Sequence, residues 1–146
     1  MRKQFSKSDI KQFLEQFPFA SSFMDKKSDV VQEDDVLLVN KESLFLNIDG
    51  EWVPSLKFLL KKPVLPKVVV DKGAIRFVVN GADIMRPGIT ACDSFEKDSF
   101  VVIVDETVGK PIAVGKCLLS SEDLMKETGG KHIKNLHYVG DDFWSR

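Results

Sequence analysis

The spacing of apolar residues changes several times along this chain, and each change marks an element. Ile10, Phe13, Leu14 and Phe17 fall at i, i+3, i+4 and i+7, one face of an amphipathic helix. Ser6-Lys7-Ser8-Asp9 reads as its start and Pro18 as its stop. Phe19 to Met24 is apolar but interrupted, which fits irregular chain or a short helical turn. Asp25 to Asp29 reads as a polar loop and Glu33-Asp34-Asp35 as an acidic, solvated turn. Val36 to Val39 is a short apolar run of the kind a buried strand needs. Leu44 to Ile48 and Glu51 to Val53 flank Asp49-Gly50, a dipeptide suited to the two-residue turn that matches strand twist. Pro54 closes this hairpin. Ser55 then begins a short helix with Leu56, Leu59 and Leu60 on its buried face and Lys61-Lys62-Pro63 at its end.

The second half reads as mostly β. Val68 to Val70 is a β-branched strand, and Asp71 can cap a helix whose Ile75, Val78 and Val79 share one side. Asn80-Gly81 ends that helix, because both residues tolerate positive φ. Ile84-Met85 is a second short strand, closed by a turn at Pro87-Gly88. After Ile89 comes a polar segment, Asp93 to Ser99, and then Phe100 to Val104, apolar enough for an interior strand. Asp105 to Lys110 reads as a hairpin loop and Pro111 to Leu119 as the returning strand. Ser120 or Ser121 caps a helical turn, Glu122 to Lys126. Gly129-Gly130 is a turn, Lys131 to Val139 is the final strand pair, and Asp142-Phe143-Trp144 closes the end with aromatics. Many short strands with one or two helices fit a small β-barrel.

Three runs in this half carry a resemblance. Val70-Asp71-Lys72-Gly73-Ala74-Ile75, Gly81-Ala82-Asp83-Ile84-Met85 and Pro87-Gly88-Ile89 resemble the opening of a PUA domain. That domain is the small RNA-binding pseudo-barrel of pseudouridine synthases and archaeosine transglycosylases. Gly129-Gly130-Lys131, Leu136 to Asp141 and Trp144 resemble its last strands. Upstream, Trp52, Pro54-Ser55-Leu56, Leu59 and Lys62-Pro63 resemble the family of the malignant T-cell amplified sequence protein and its yeast translation machinery-associated relative. In that family a small pre-PUA domain precedes the PUA domain. The resemblance implies an α+β fold: a small α/β pre-PUA domain over residues 1–65, then a PUA-type β pseudo-barrel with short helices over 66–146.

A chain of 146 residues, 43% hydrophobic, can bury a core in one domain or in two small ones. No apolar run approaches the roughly 18 residues of a transmembrane helix. The charged N-terminus has no apolar stretch behind it, so no signal peptide is expected and a cytoplasmic protein is. The net charge of -1 argues against bulk attraction to polyanions. Divided at Pro66, the chain carries ten Lys/Arg against ten Asp/Glu before it, and eleven against twelve from it onward. Any RNA would therefore meet a local basic patch and a shaped pocket, with modest salt dependence. Lys57, Lys61, Lys62 and Lys67 lie in a stretch free of acidic residues, which reads either as a solvated helix and linker or as a nucleic-acid surface. Lys3, Lys7 and Lys11 on the first helix leave the same two readings open. Cys92 and Cys117 lack the ligand spacing of a zinc site and read as reduced structural thiols, unless the fold brings them together.

The motifs of catalysis are missing. There is no phosphate-binding Gly-x-x-x-x-Gly-Lys-Ser/Thr, no His-Glu-x-x-His and no Gly-x-Ser-x-Gly. His137 beside Tyr138 has no evident nucleophile to serve. Asp71 and Asp83 read as a helix cap and a loop residue rather than a catalytic pair. Neither an enzyme nor a cofactor or metal is expected. Binding is the better reading. The loop Asn80-Gly81-Ala82-Asp83 offers backbone donors with little side-chain cover. Lys72 and Arg76, four apart, share a helix face beside it, and Arg86 follows. The PUA resemblance places RNA in the groove between this helix, the next strand and the last strand. It carries over Gly81, Ala82, Met85, Arg86 and Pro87 as contacts, with Lys131, His137 and Tyr138 from the far end. Tyr138 reads equally as a core residue. The family resemblance implies binding to the small ribosomal subunit and the acceptor end of tRNA in initiation or recycling. A separate initiation-factor-like partner, as the density-regulated protein is in eukaryotes, would complete the function. Two alternatives stand beside it: a subunit that targets a separate enzyme modifying tRNA or rRNA, and a protein-interaction scaffold.

Overall fold

The structure, a computed structural model, describes residues 1–145. It divides into two compact units, residues 1–55 and 56–145.

The first unit is a five-stranded antiparallel sheet in sequential order: β1 (Arg2–Gln4), β2 (Val30–Glu33), β3 (Val36–Val39), β4 (Glu42–Ile48) and β5 (Glu51–Pro54). Helix α1 (Lys7–Gln16) lies between β1 and β2, followed by a 3₁₀ turn at Pro18–Ser22. The start of α1 is a capping box. The Asp9 N–H donates to Ser6 Oγ at 3.0 Å, and the Ser6 N–H to Asp9 Oδ2 at 2.9 Å. The Ser6 N–H, and after it the Ser6 side chain, hydrogen-bonds the Asp9 carboxyl and holds it below the usual range. Ile10, Phe13 and Phe17 are buried as their spacing predicts. Phe13 meets Phe45 of β4 edge-on, with ring centroids 4.8 Å apart. Asp49 and Gly50 take φ of 53° and 82°, the pair of positive values that a tight hairpin turn requires. β1 and β2 are not visible in the hydrophobic pattern. β1 is an exposed edge strand, Arg-Lys-Gln, held by pairing with β2 rather than by burial. Glu33 ends β2, so the acidic turn is reduced to Asp34-Asp35.

The second unit begins with α2 (Leu56–Lys61), ahead of the division expected at Pro66. This helix buries Leu56, Phe58 and Leu59, whereas Leu60 is exposed. The bulkier Phe58 takes the inward place that the i, i+3, i+4 count gave to Leu60. Next come β6 (Lys67–Val70), α3 (Lys72–Val78), β7 (Ile84–Met85) and a 3₁₀ turn at Arg86–Gly88. They are followed by β8 (Ile89–Cys92), β9 (Phe100–Asp105), β10 (Pro111–Cys117), α4 (Ser121–Lys126) and β11 (Lys131–Tyr138). The strand order is β7-β11-β10-β9-β6-β8, with β6 and β9 parallel and every other pair antiparallel. Val68, Val70, Val78, Ile84, Ile103 and Ile133 form the centre of the core.

Two strand expectations change. β8 is a strand that pairs with β6, although Thr90 and Ala91 are exposed and hide its alternation. The final strand pair is one strand, β11. Gly115 pairs with Asn135 and Val114 with His137, so Leu136 is an extra residue that breaks the two-residue period. Gly115 sits at that break because nothing larger fits. A Cβ there would stand 2.7 Å from Ile133 Cγ2 and 2.9 Å from the Lys134 carbonyl oxygen. Cys92 and Cys117 are both free, and burial pushes both thiols upward, as for inert structural cysteines. No helix among the described residues is long and apolar enough to cross a membrane.

Candidate nucleic-acid interface

Helix α3 fixes the site. Asp71 caps it, with Oδ1 accepting the Ala74 N–H at 2.9 Å. Glu106, from the loop after β9, accepts the Lys72 N–H at 3.3 Å. Both carboxylates occupy the start of the helix. At its other end the Gly81 N–H donates to Val78 and the Ala82 N–H to Phe77. Gly81 has φ of 92°, and a Cβ there would lie 3.1 Å from the Tyr138 ring. The bare glycine corner expected from the sequence is therefore closed. Its two N–H groups are bonded within the chain, and its open side faces Tyr138.

Asn135 on β11 locks this corner in place. Its backbone N–H donates to Asp83 Oδ1 at 2.9 Å. Its Nδ2 donates to the carbonyls of Val78 and Ala82, both at 3.0 Å. One side chain thus gives the Ala82 carbonyl a partner and the Val78 carbonyl, already bonded to the Gly81 N–H, a second.

The open space lies beside the corner. A groove of about 600 Å³ runs along α3, walled by Gly73, Ala74, Phe77 and Val78 on one side and by Ala82 to Met85 with Pro87-Gly88 on the other. Asp71 and Lys131 complete it. The walls approach closely at one point, where a Cβ on Gly88 would stand 3.1 Å from the Ala74 Cβ. Phe77 is 54% exposed and Met85 is 44% exposed, so two large apolar side chains stand at the mouth. The Arg76 guanidinium lies over the Phe77 ring, 4.8 Å from its centroid.

The twelve residues singled out in the sequence are only partly brought together. Ala82, Asp83, Met85, Pro87 and Lys131 line the groove. Lys72 and Arg76 are exposed on α3. Asn80 is exposed but folds back, its Nδ2 donating to the Arg76 carbonyl at 2.8 Å. Gly81 and Tyr138 cover each other. Arg86 turns away from the groove and works as a clamp, with Nε donating to the Leu124 carbonyl at 3.1 Å and Nη1 to the Ile89 carbonyl at 3.0 Å. His137 is 1% exposed and holds Asp141 through Nδ1, so its side chain does not reach the surface.

Phe77 is not among the twelve, because it is an apolar residue off the helix's buried stripe. Ile75, Val78 and Val79 define that stripe, and Phe77 beside Arg76 falls outside it. An aromatic side chain on the polar side of an amphipathic helix, next to a cation, is the signal that would have found it.

Residues 66–139 match the PUA domain family. Translation machinery-associated protein 20 of Eremothecium gossypii is 32% identical over 180 residues, covering 99% of this chain and 98% of that protein. The chain belongs to this PUA-domain family of translation machinery-associated protein 20 and malignant T-cell-amplified sequence 1. An uncharacterized protein of Methanocaldococcus jannaschii is 40% identical over 157 residues, covering 99% of this chain and 97% of its own. Among solved structures, a hypothetical protein from Pyrococcus horikoshii OT3 superposes with a TM-score of 0.83 at 28% identity, covering 99% of this chain and 98% of that one. All twelve candidate residues, Lys72 to Tyr138, fall inside the PUA segment.

Proposed function

We propose that this PUA protein binds RNA as part of the translation apparatus, engaging the small ribosomal subunit and the single-stranded acceptor end of tRNA in initiation or recycling. The observation that carries the reading is Phe77, exposed at the lip of an apolar groove with Arg76 over its ring. Single-stranded nucleic acid is held by aromatic faces for its bases and cations for its backbone, and the lip has both. Lys72, Arg76 and Lys131 are the exposed cations around it. The relative named translation machinery-associated protein 20 supports the cellular setting. We assign RNA binding to a PUA domain beginning at Pro66, with the preceding residues as the pre-PUA domain. A cytoplasmic location follows from that role, and a separate initiation-factor-like protein is the expected partner.

Charge supports a shaped contact over a general one. Residues 1–55 carry seven Lys/Arg against ten Asp/Glu, and residues 56–145 thirteen against twelve. Few phosphates are neutralised, so the dependence of affinity on salt should be shallow. The test is filter binding of tRNA with and without its terminal CCA. Removal of the CCA is expected to weaken binding by about tenfold, in line with the loss of one stacked base. Equal affinity for the two tRNAs would eliminate the acceptor-end reading.

A further inference from the structure

A second opening lies in the first unit, between α1 and the sheet. Asp9, Gln12 and Gln16 recur at i, i+3 and i+7, so they line it from one face of α1. Lys3 and Gln32, partners in the β1–β2 register, line it from the sheet, together with Trp52 of β5. Its volume of about 280 Å³ falls below the roughly 300–1,000 Å³ of small-molecule sites. That is room for one protruding side chain. Gln12 and Gln16 are exposed and Trp52 is half-buried. None of the three side chains is hydrogen-bonded to another described residue, so amide oxygens and a flat ring are both open to an incoming group.

Charge decides which group. Residues 1–55 carry seven Lys/Arg against ten Asp/Glu, a difference of -3. Asp9 is the anion of the opening, and its Oδ2 accepts the Ser6 N–H at 2.9 Å. That bond fixes the side chain and keeps the carboxyl ionised at neutral pH. Lys3, the cation lining the opening among the described residues, places Nζ over the Phe5 ring, 5.7 Å from its centroid. An ammonium therefore already rests against an aromatic face here. A phosphate would meet an acidic unit and a carboxylate, both repulsive. A guanidinium would meet a carboxylate, neutral acceptors and a flat ring.

We propose that this opening is an anchor pocket for an arginine side chain of a partner protein. The guanidinium stacks on Trp52 and donates to the Asp9 carboxylate and to the amide oxygens of Gln12 and Gln16. Its planar fork of five N–H donors suits that set of acceptors, whereas a lysine ammonium has no flat face to stack. Arginine is also the cation most enriched among the residues that anchor protein interfaces. Lys3 competes with it as the resident cation and so moderates its affinity. This pocket lies within the first unit and is independent of the RNA reading above.

The test titrates the full, isotope-labelled chain with a short glycine–serine peptide carrying one arginine, read by nuclear magnetic resonance. The peptide is expected to shift the Trp52 indole N–H signal and the side-chain amide signals of Gln12 and Gln16, and to leave the Trp144 indole signal in place. The same peptide with citrulline, equal in shape but uncharged, should bind about tenfold more weakly, because a charge-assisted hydrogen bond is lost. Asp9→Asn keeps an oxygen for the Ser6 N–H, so the helix cap survives, and should weaken the arginine peptide by about tenfold. Lys3→Gln removes the competing ammonium and should tighten it by about threefold, the scale of one exposed charge pair. A Trp52 signal that does not move, equal binding of the arginine and citrulline peptides, or unchanged affinity in Asp9→Asn would each overturn the pocket. Free arginine binding about tenfold more tightly than the peptide would make the occupant an amino acid and overturn the protein partner. The same signals moved by a uridine oligonucleotide and not by the arginine peptide would give the opening to nucleic acid and overturn the proposal.

Discussion

Replacing Asp141 with alanine is expected to cost the second unit about 3–5 kcal/mol, the range for stripping one partner from a buried, hydrogen-bonded pair. Asp141 makes three contacts at once. Its Oδ2 meets His137 Nδ1 at 2.8 Å and accepts the Tyr138 N–H at 2.9 Å, and its Oδ1 accepts the Phe143 N–H at 3.0 Å. The His137 side chain is 1% exposed and that of Asp141 is 8% exposed. Water cannot replace the lost carboxylate at the imidazole, so its ring nitrogen would be left buried without a partner. At roughly 4–8 °C per kcal/mol for a unit of this size, the midpoint of thermal unfolding should fall by more than about ten degrees. Asp141→Asn keeps an acceptor for the N–H groups and should lose distinctly less. Thermal unfolding followed by circular dichroism checks both. A fall of only a degree or two for the alanine variant would mean that this turn holds nothing together.

The same turn explains why the sequence showed the barrel better than its site. Where side chains alternate or repeat every three to four residues, burial follows the pattern. α1, β3, the Asp49-Gly50 hairpin, α3 and β9 all lie close to where that pattern puts them. The site depends instead on contacts between residues far apart in the chain. Asn135 reaches Val78, Ala82 and Asp83 across more than fifty residues. Tyr138 covers Gly81, and Arg86 reaches Leu124. None of these pairings leaves a local signature, because a buried clamp and a ligand contact use the same polar side chains. Arg86 and His137 look like binding residues in a list of types, and only their partners reveal them as internal supports. Gly81 shows the same ambiguity. A glycine with positive φ marks a tight backbone path, but it does not say whether a ligand or a neighbouring ring fills the space. The PUA resemblance points to the space between helix and strands, where the structure has a groove. It did not carry Phe77, whose exposure depends on how α3 is rotated against the core.

That rotation makes Phe77 the position where substitution separates binding from folding. Phe77→Ala is expected to weaken binding of a single-stranded RNA tail by roughly five- to a hundred-fold, corresponding to the ~1–3 kcal/mol of one aromatic–base stack. Fold stability should change by less than about 0.5 kcal/mol, because an exposed side chain outside the core contributes little. The Asp141 variant would do the reverse, lowering stability first and binding only as the unit unfolds. Two companion substitutions sharpen the reading. Phe77→Trp keeps an aromatic face under Arg76 and should restore most of the affinity. Phe77→Leu keeps the apolar area but not the flat face, and should recover little if stacking is the interaction. Anisotropy titrations of the three variants, alongside their unfolding curves, provide the measurement. Were Phe77→Ala to bind as tightly as the unaltered chain, the exposed ring would be a bystander. RNA would then have to be sought on the lysines of α2 and the segment that follows, where Lys57, Lys61, Lys62 and Lys67 are all exposed. Lys57 Nζ lies over the Trp144 ring, 5.4 Å from its centroid. Phosphate contacts would dominate such a surface, so the salt dependence would steepen. The slope of affinity against salt therefore distinguishes the two surfaces even when the affinities themselves are similar.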